Sequence, residues 1–201
     1  MDIVMDKAGR LELLQNQCSV CTLCPLSRTR HSVVFSVGNP ESDIMFIGEG
    51  PGEQEDLRGE PFVGPAGQLL DIMLKLIGLD RKTVYIANIV KCRPPSNRDP
   101  AENEKTACFG YLARQIEIIN PKIIVCLGRI AATAIIRPDF KITREHGKWY
   151  EANGRYIIAT YHPSALLRDM YKRPDAFSDF REIRKKLREV RQENAENRCQ
   201  T

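Results

Sequence analysis

Three short, unbroken apolar runs constrain this chain most. They are Ile44-Met45-Phe46-Ile47, Val84 to Val90 interrupted only by Asn88, and Ile123-Ile124-Val125-Cys126-Leu127. Each has strand length, and a strand that is apolar at every position is covered on both faces. Between them lie segments of helical periodicity. Residues 66–77 carry Leu69, Leu70, Met73, Leu74 and Ile77, with Gly78 as a C-cap, and a second helix spans roughly 101–119, between Pro100 and Pro121. Shorter helices are expected over 6–17 and 129–136, and a basic one over about 176–192. Asn153-Gly154 signals a two-residue hairpin between Lys148-Trp149-Tyr150 and Tyr156 to Thr160. Val33-Val34-Phe35 is expected to form a short strand. Alternating strands and helices predict an α/β fold, a three-layer sandwich with a central, mostly parallel sheet flanked by helices. One domain is expected over 1–201, with a core at about 18–190 and a polar tail at 193–201.

Composition narrows the class. Lys plus Arg is 30 against 26 for Asp plus Glu, a formal charge of +4. That mild excess permits a nucleic-acid partner without requiring one. Apolar residues make 42 % and charged residues 28 %, which excludes a disordered chain, a collagen repeat and a coiled-coil rod. No apolar run approaches the roughly 18–20 residues of a membrane span. The first six residues, Met1 to Asp6, carry an early acid and no signal-segment pattern. A cytoplasmic protein with no membrane partner is expected.

Polar features cluster at the strand ends, where open α/β sheets bind ligands. The first run feeds Gly48-Glu49-Gly50-Pro51-Gly52. This is not GxGxxG, and Pro51 lacks the N–H that a phosphate cradle uses, so a nicotinamide or nucleotide cofactor is not expected. The competing reading is a plain turn. Asn88 sits inside an apolar strand; a buried amide needs partners, either backbone or a ligand. His162 ends the last strand and precedes Pro163, which holds it extended. It is the one histidine of three so placed; His31 and His146 read as surface or loop residues. Phe62 lies in Gly59-Glu60-Pro61-Phe62-Val63-Gly64, either anchoring the loop or offering a stacking face.

The seven cysteines, an odd number, argue against a disulfide framework and for a metal site. Cys21-Thr22-Leu23-Cys24 is a C-x2-C pair, and Cys92 and Cys108 could complete a four-thiolate site. Spacing alone leaves zinc and [4Fe–4S] both open. Cys18, Cys21 and Cys24 followed by Pro25 also echo part of a ferredoxin run. Cys126 reads as a small buried hydrophobe, and Cys199 as a free thiol in the tail.

In order along the chain, several segments resemble the type-4, iron–sulfur uracil-DNA glycosylases. They are Cys21-x2-Cys24-Pro25-Leu26, Gly48-Glu49-Gly50-Pro51-Gly52-Glu53 with Glu55-Asp56, and Pro61-Phe62-Val63-Gly64-x-Ala66-Gly67. Asn88-Ile89-Val90-Lys91-Cys92-Arg93-Pro94-Pro95, Asn97-Arg98 and His162-Pro163-Ser164 follow. The resemblance spans about Cys21 to Leu187. It implies a monofunctional enzyme that hydrolyses the N-glycosidic bond of flipped-out deoxyuridine, in single- or double-stranded DNA, to start base-excision repair. It implies a structural [4Fe–4S] cluster on Cys21, Cys24, Cys92 and Cys108, with no place for Cys18. It implies a uracil pocket of Gly48, Glu49, Gly50, Pro51, Phe62, Asn88 and His162. In it Phe62 stacks on the base, Asn88 reads O4 and N3–H, and His162 stabilises charge on O2. Gly50 and Gly52 replace the Asp and Tyr of the superfamily's best-known branch. Water activation is therefore assigned to Glu49, and thymine exclusion to some other group. Ser164, Leu166, Leu167, Arg168 and Arg93 are expected on the DNA side, with Leu166 or Leu167 and Arg168 filling the gap in the stack. A monomer is expected. Two alternatives keep the same fold: a non-catalytic, cysteine-ligated nucleic-acid-binding module, and an iron–sulfur redox protein, for which Cys18 speaks. The basic helix, with Arg181, Arg184, Lys185, Lys186, Arg188 and Arg191, reads either as a solvated face or as a phosphate-contacting one.

Overall fold

A computed structural model describes residues 5–199. The helices are α1 (Lys7–Ser19), α2 (Glu53–Arg58), α3 (Pro65–Leu76), α4 (Glu102–Ile119), α5 (Arg129–Ile135), α6 (Ile142–Glu145), α7 (Pro163–Arg168) and α8 (Arg173–Cys199). The strands are β1 (Val37–Gly38), β2 (Ile44–Gly48), β3 (Tyr85–Asn88), β4 (Ile123–Leu127), β5 (Trp149–Ala152) and β6 (Arg155–Thr160). They form one sheet in the order β1-β3-β2-β4-β6-β5. The inner four are parallel, and β1 and β5 close the edges antiparallel.

Period-two alternation divides the sheet between two cores. Met45, Ile47, Ala87, Ile124, Cys126 and Ile157 face one side and pack with Leu11, Leu14 and Leu112 from α1 and α4. Ile44, Phe46, Ile86, Val125, Leu127 and Ile158 face the other and meet Leu70, Met73, Leu74, Phe180, Ile183 and Leu187 from α3 and α8. This is the expected three-layer sandwich. From β2 the chain runs outward to β3, then returns across β2 to β4. The carboxyl ends of β2, β3, β4 and β6 therefore open onto the crevice where such sheets bind ligands.

Three expectations change. Val33-Val34-Phe35 is not a strand. Val34 N donates once, to Lys91 O at 2.8 Å, and the pairing shifts to Val37–Gly38, opposite Tyr85 and Ile86. The basic helix starts at Arg173 and continues to Cys199 through the stretch expected as a tail; that stretch carries no Gly or Pro to stop it. The short helix α2, unanticipated, starts directly after the glycine-rich turn. Asn153 and Gly154 take φ of 51° and 71°, the left-handed pair that a tight hairpin requires. Met1–Val4 and the Cys199 side chain, on which two of the readings rest, lie outside the described residues.

Candidate active site

The crevice is a cleft of about 500 Å³. Its wall brings together Glu49, Gly50, Pro51, Phe62, Asn88, His162, Ser164 and Arg168. Gly48 lies behind this wall, paired in register with Asn88. A Cβ on Gly48 would sit 2.4 Å from Asn88 Oδ1 and 2.6 Å from Phe62 Cζ. Gly128, at φ +88°, does the same for His162, whose Cβ a side chain there would meet at 2.8 Å. Glycines thus end β2 and β4 because neighbouring site residues fill the space of a side chain. Gly48→Ala is expected to lose about 1–3 kcal/mol by overpacking, read as a lower Tm in thermal unfolding.

Asn88 is only 2 % exposed, and its Oδ1 is a buried acceptor with no hydrogen-bond partner. An orphaned acceptor costs about 1–3 kcal/mol, and the cleft it lines is where a donor can reach it. Its backbone is held from beneath. The wholly buried Lys91 donates from Nζ to Asn88 O (2.9 Å) and to Gln115 Oε1 (2.5 Å).

His162 caps α7. Its Nδ1 accepts from Ser164 N at 3.2 Å and lies 2.7 Å from Ser164 Oγ. A ring nitrogen that accepts a backbone N–H carries no proton, so the proton of the neutral ring is on Nε2. Burial, reinforced by the Arg168 charge, pushes the His162 pKa down to about 4. The ring is therefore neutral at physiological pH and presents an N–H donor. Phe62 faces it at 5.7 Å between ring centres.

Phe62 has φ +57° and is buried, a strained conformation for a bulky residue. Arg81 holds it there. Its Nη2 donates to Phe62 O, its Nη1 to Pro61 O (2.9 Å), and its Nε to Asp71 Oδ1 (2.8 Å). Gly67 yields the room, since a Cβ there would overlap Phe62 O. Glu55 ties this loop to the glycine-rich turn, accepting from Val63 N and Gly64 N (both 2.9 Å) and from Gly52 N (3.1 Å). Arg81 was not anticipated as a site residue, and Glu55 only within a motif. The signal for Glu55 was present: a Glu three residues after a helix-starting Gly is the reciprocal cap.

Burial raises the Glu49 pKa to about 7, with Asp99 adding to the rise and Arg129, Arg168 and Lys105 opposing it. A carboxyl poised there can take or give a proton near neutrality.

Some expected DNA-side residues stand elsewhere. Leu166 is 1 % exposed and packed in the core between α7, α3 and α8, so it cannot meet a ligand. Leu167 points outward at 42 % exposure. Arg93 does not line the cleft; it bonds Asn97 Oδ1 (2.8 Å) and Glu53 Oε1 (3.4 Å). Arg98 does line it, but its guanidinium grips buried Glu104 through two bonds of 2.8 and 2.6 Å. Among the described residues Arg168 has no carboxylate partner. His146 lies in the loop after α6, as expected, and is half-buried there: its Nδ1 bonds buried Asp179 (3.0 Å), and its ring packs on Tyr161 at 4.8 Å.

The thiols gather at a second place. Cys18, Cys21, Cys24, Cys92 and Cys108 line one small cavity with Arg30 and Lys91. Arg30 Nη1 lies 3.3 Å from Cys92 Sγ, and Lys91 N donates to Cys108 Sγ at 3.2 Å. Burial pushes the Cys108 thiol up to about 11 and Cys18 up to about 12. No three of the described cysteines, histidines and carboxylates could hold a single metal ion. Cys126 is buried in β4, away from this cavity.

Known proteins resemble this chain along most of its length. Residues 35–188 match the family model of the uracil DNA glycosylase superfamily. The type-4 uracil-DNA glycosylase of Archaeoglobus fulgidus is 49 % identical over 171 residues, 81 % of this chain and 86 % of the relative. That of Sulfurisphaera tokodaii is 46 % identical, covering 87 % and 83 %. That of Thermotoga maritima is 46 % identical, covering 79 % and 84 %.

Proposed function

The chain belongs to the uracil-DNA glycosylase superfamily, in its type-4 branch, and from that premise we propose how its cleft excises uracil from DNA. It is a monofunctional glycosylase: it hydrolyses the bond between uracil N1 and deoxyribose C1′, releasing uracil and leaving an abasic site. The observation that carries the assignment of roles is the orphaned Oδ1 of Asn88. A flipped uracil supplies the missing partner with its N3–H and takes the Asn88 amide N–H on O4. Cytosine has an unprotonated N3 and an amino group at C4, so both contacts would be mismatched. The strained Phe62 ring stacks on the base.

As C1′–N1 breaks, the bonding electrons move into the uracil ring and build charge on O2. His162 Nε2–H, neutral and in a fixed tautomer, donates there. A donor aimed where charge develops stabilises the transition state without reorganising. Glu49 takes a proton from the water whose oxygen bonds C1′. Gly50 and Pro51 bring this wall close to the sugar, and Gly48 behind it leaves the room that Asn88 and Phe62 occupy. Leu167 and Arg168, with Ser164, meet the DNA around the vacated position.

The thiol cavity fits a cluster better than a lone ion. Five sulfur donors from three segments (Cys18, Cys21 and Cys24; Cys92; Cys108) surround one space, Arg30 and Lys91 flank it, and no single-ion site forms among the described residues. We assign Cys21, Cys24, Cys92 and Cys108 as ligands of a [4Fe–4S] cluster, which when bound cross-links the segments before α2 and around α4 and takes no part in bond breaking. The molecule is read as one domain and a monomer. It is read as a cytoplasmic protein; among the described residues no helix is long and apolar enough to cross a membrane.

The test is a labelled single-stranded oligonucleotide carrying one uracil, treated with alkali after incubation. Cutting at the uracil and not in a thymine control is expected; no cutting by brown, cluster-loaded protein overturns the reading in favour of a binding module.

The pH profile separates the two titrating groups. The Glu49 carboxyl is raised to about 7, so the basic form is lost as pH falls through 7. Excision at saturating DNA should fall about tenfold per pH unit below that. His162 titrates near 4 and adds no limb above pH 5. Glu49→Gln should be slow and flat across this range; an unchanged acid limb in that variant removes Glu49 as the base.

A further inference from the structure

The rim of the cleft carries an apolar feature that the roles above leave unused. Between α7 and α8 the chain makes one tight turn, Met170–Lys172. Tyr171 is 96 % exposed there and Met170 64 %. The turn is nevertheless well fixed. Asp169 Oδ1 accepts from Tyr171 N at 3.1 Å, and Lys172 Nζ pairs with Asp169 Oδ2 at 2.9 Å. Arg173 Nε donates to Leu166 O at 3.0 Å, tying the start of α8 back to α7. The backbone that presents Tyr171 is thus ordered before any ligand arrives.

The turn is also continuous with the cleft. Lys172, the next residue, lines the cleft wall with its Nζ over the Tyr161 ring at 5.8 Å. Arg168, three residues before Tyr171, lines it too. An aromatic and a methionine, outside the pocket and flanked by cations, make a surface suited to an unpaired base with a phosphate on either side. In a single strand the neighbour of a flipped nucleotide is such a base: it has no partner strand and has just lost a stacking face.

We propose that Tyr171, supported by Met170, is a stacking platform for the nucleotide adjacent to the flipped uracil, with Lys172 and Arg168 taking the phosphates that flank it. This rests on the glycosylase reading and extends it. The enzyme would grip two consecutive bases, one in the pocket and one on its rim, and the second grip would need no opposite strand.

The test uses oligonucleotides with 2′-fluoro-2′-deoxyuridine, which resists cleavage, and the fluorescent base 2-aminopurine on its 5′ or 3′ side. On binding, the wild type should quench the aminopurine on one side. Tyr171→Ala should lose that quenching and bind about 10-fold more weakly, the order expected for one lost base–aromatic stack. Tyr171→Trp should keep both quenching and affinity. Unaltered quenching and affinity in Tyr171→Ala overturn the platform. Uracil release from an unmodified oligonucleotide is measured alongside. Release with wild-type behaviour in Tyr171→Ala removes the platform alone, and no release from the wild type removes the glycosylase reading and the platform with it.

Discussion

His162→Ala should slow single-turnover uracil excision by about 10²–10³-fold, the usual loss for one preorganised donor to a developing anion. The loss should appear in the rate at saturating DNA, because the charge on O2 grows only as the bond breaks. His162→Gln should recover part of the rate, since an amide N–H can reach the same oxygen. Nothing in the fold should suffer beyond the first turn of α7, where Ser164 N loses its acceptor. Losing an N-cap acceptor costs about 1 kcal/mol, too little to unfold the chain. Single-turnover rates with thermal unfolding as a control decide the matter; a rate within fivefold of wild type removes His162 from the chemistry.

Asn88→Ala should cost more, about 10³–10⁴-fold in kcat/KM, because the site then loses both of its contacts to the uracil edge. Stability should move the other way. The substitution deletes a buried acceptor that has no partner, which relieves about 1–3 kcal/mol against the packing lost at the cleft wall. The expected Tm is equal to or above that of the wild type. Opposite movement of activity and stability is the mark of a binding residue kept unsatisfied for its ligand. A variant that is both inactive and markedly less stable would instead make Asn88 a structural amide.

The layers of the fold were readable because apolar runs and helical periods leave little choice about which faces are buried. Val84 to Val90 declared a covered strand, and Asn153-Gly154 declared its hairpin, since only residues tolerant of positive φ close so tight a turn. Asn88 and His162 stood out for a related reason: each interrupts or ends an apolar strand, where a polar side chain needs justification. Leu166 and Leu167 show the limit. Both are leucines on one short helix, and only the packing of α7 on its neighbours buries the first and exposes the second. Arg81 was hidden for the same reason. It lies 19 residues beyond Phe62, and no local pattern announces that its guanidinium holds that loop. His146 is the loop residue it looked like, but nothing local announces that α8 brings Asp179 beside it. Strand ends are a local signal, whereas the residues that brace them are recruited by tertiary contacts.

Binding of two small molecules tests the central claim most directly. The account holds that the Asn88 side-chain oxygen waits for the N3–H of a flipped uracil. Free uracil should inhibit excision, and 3-methyluracil, which carries a methyl in place of that hydrogen, should inhibit at least about 100-fold more weakly, because the buried oxygen stays unpaired and a methyl is forced against it. Equal inhibition by the two, in a protein that excises uracil, would mean that Asn88 does not read N3 and that base recognition lies elsewhere in the cleft.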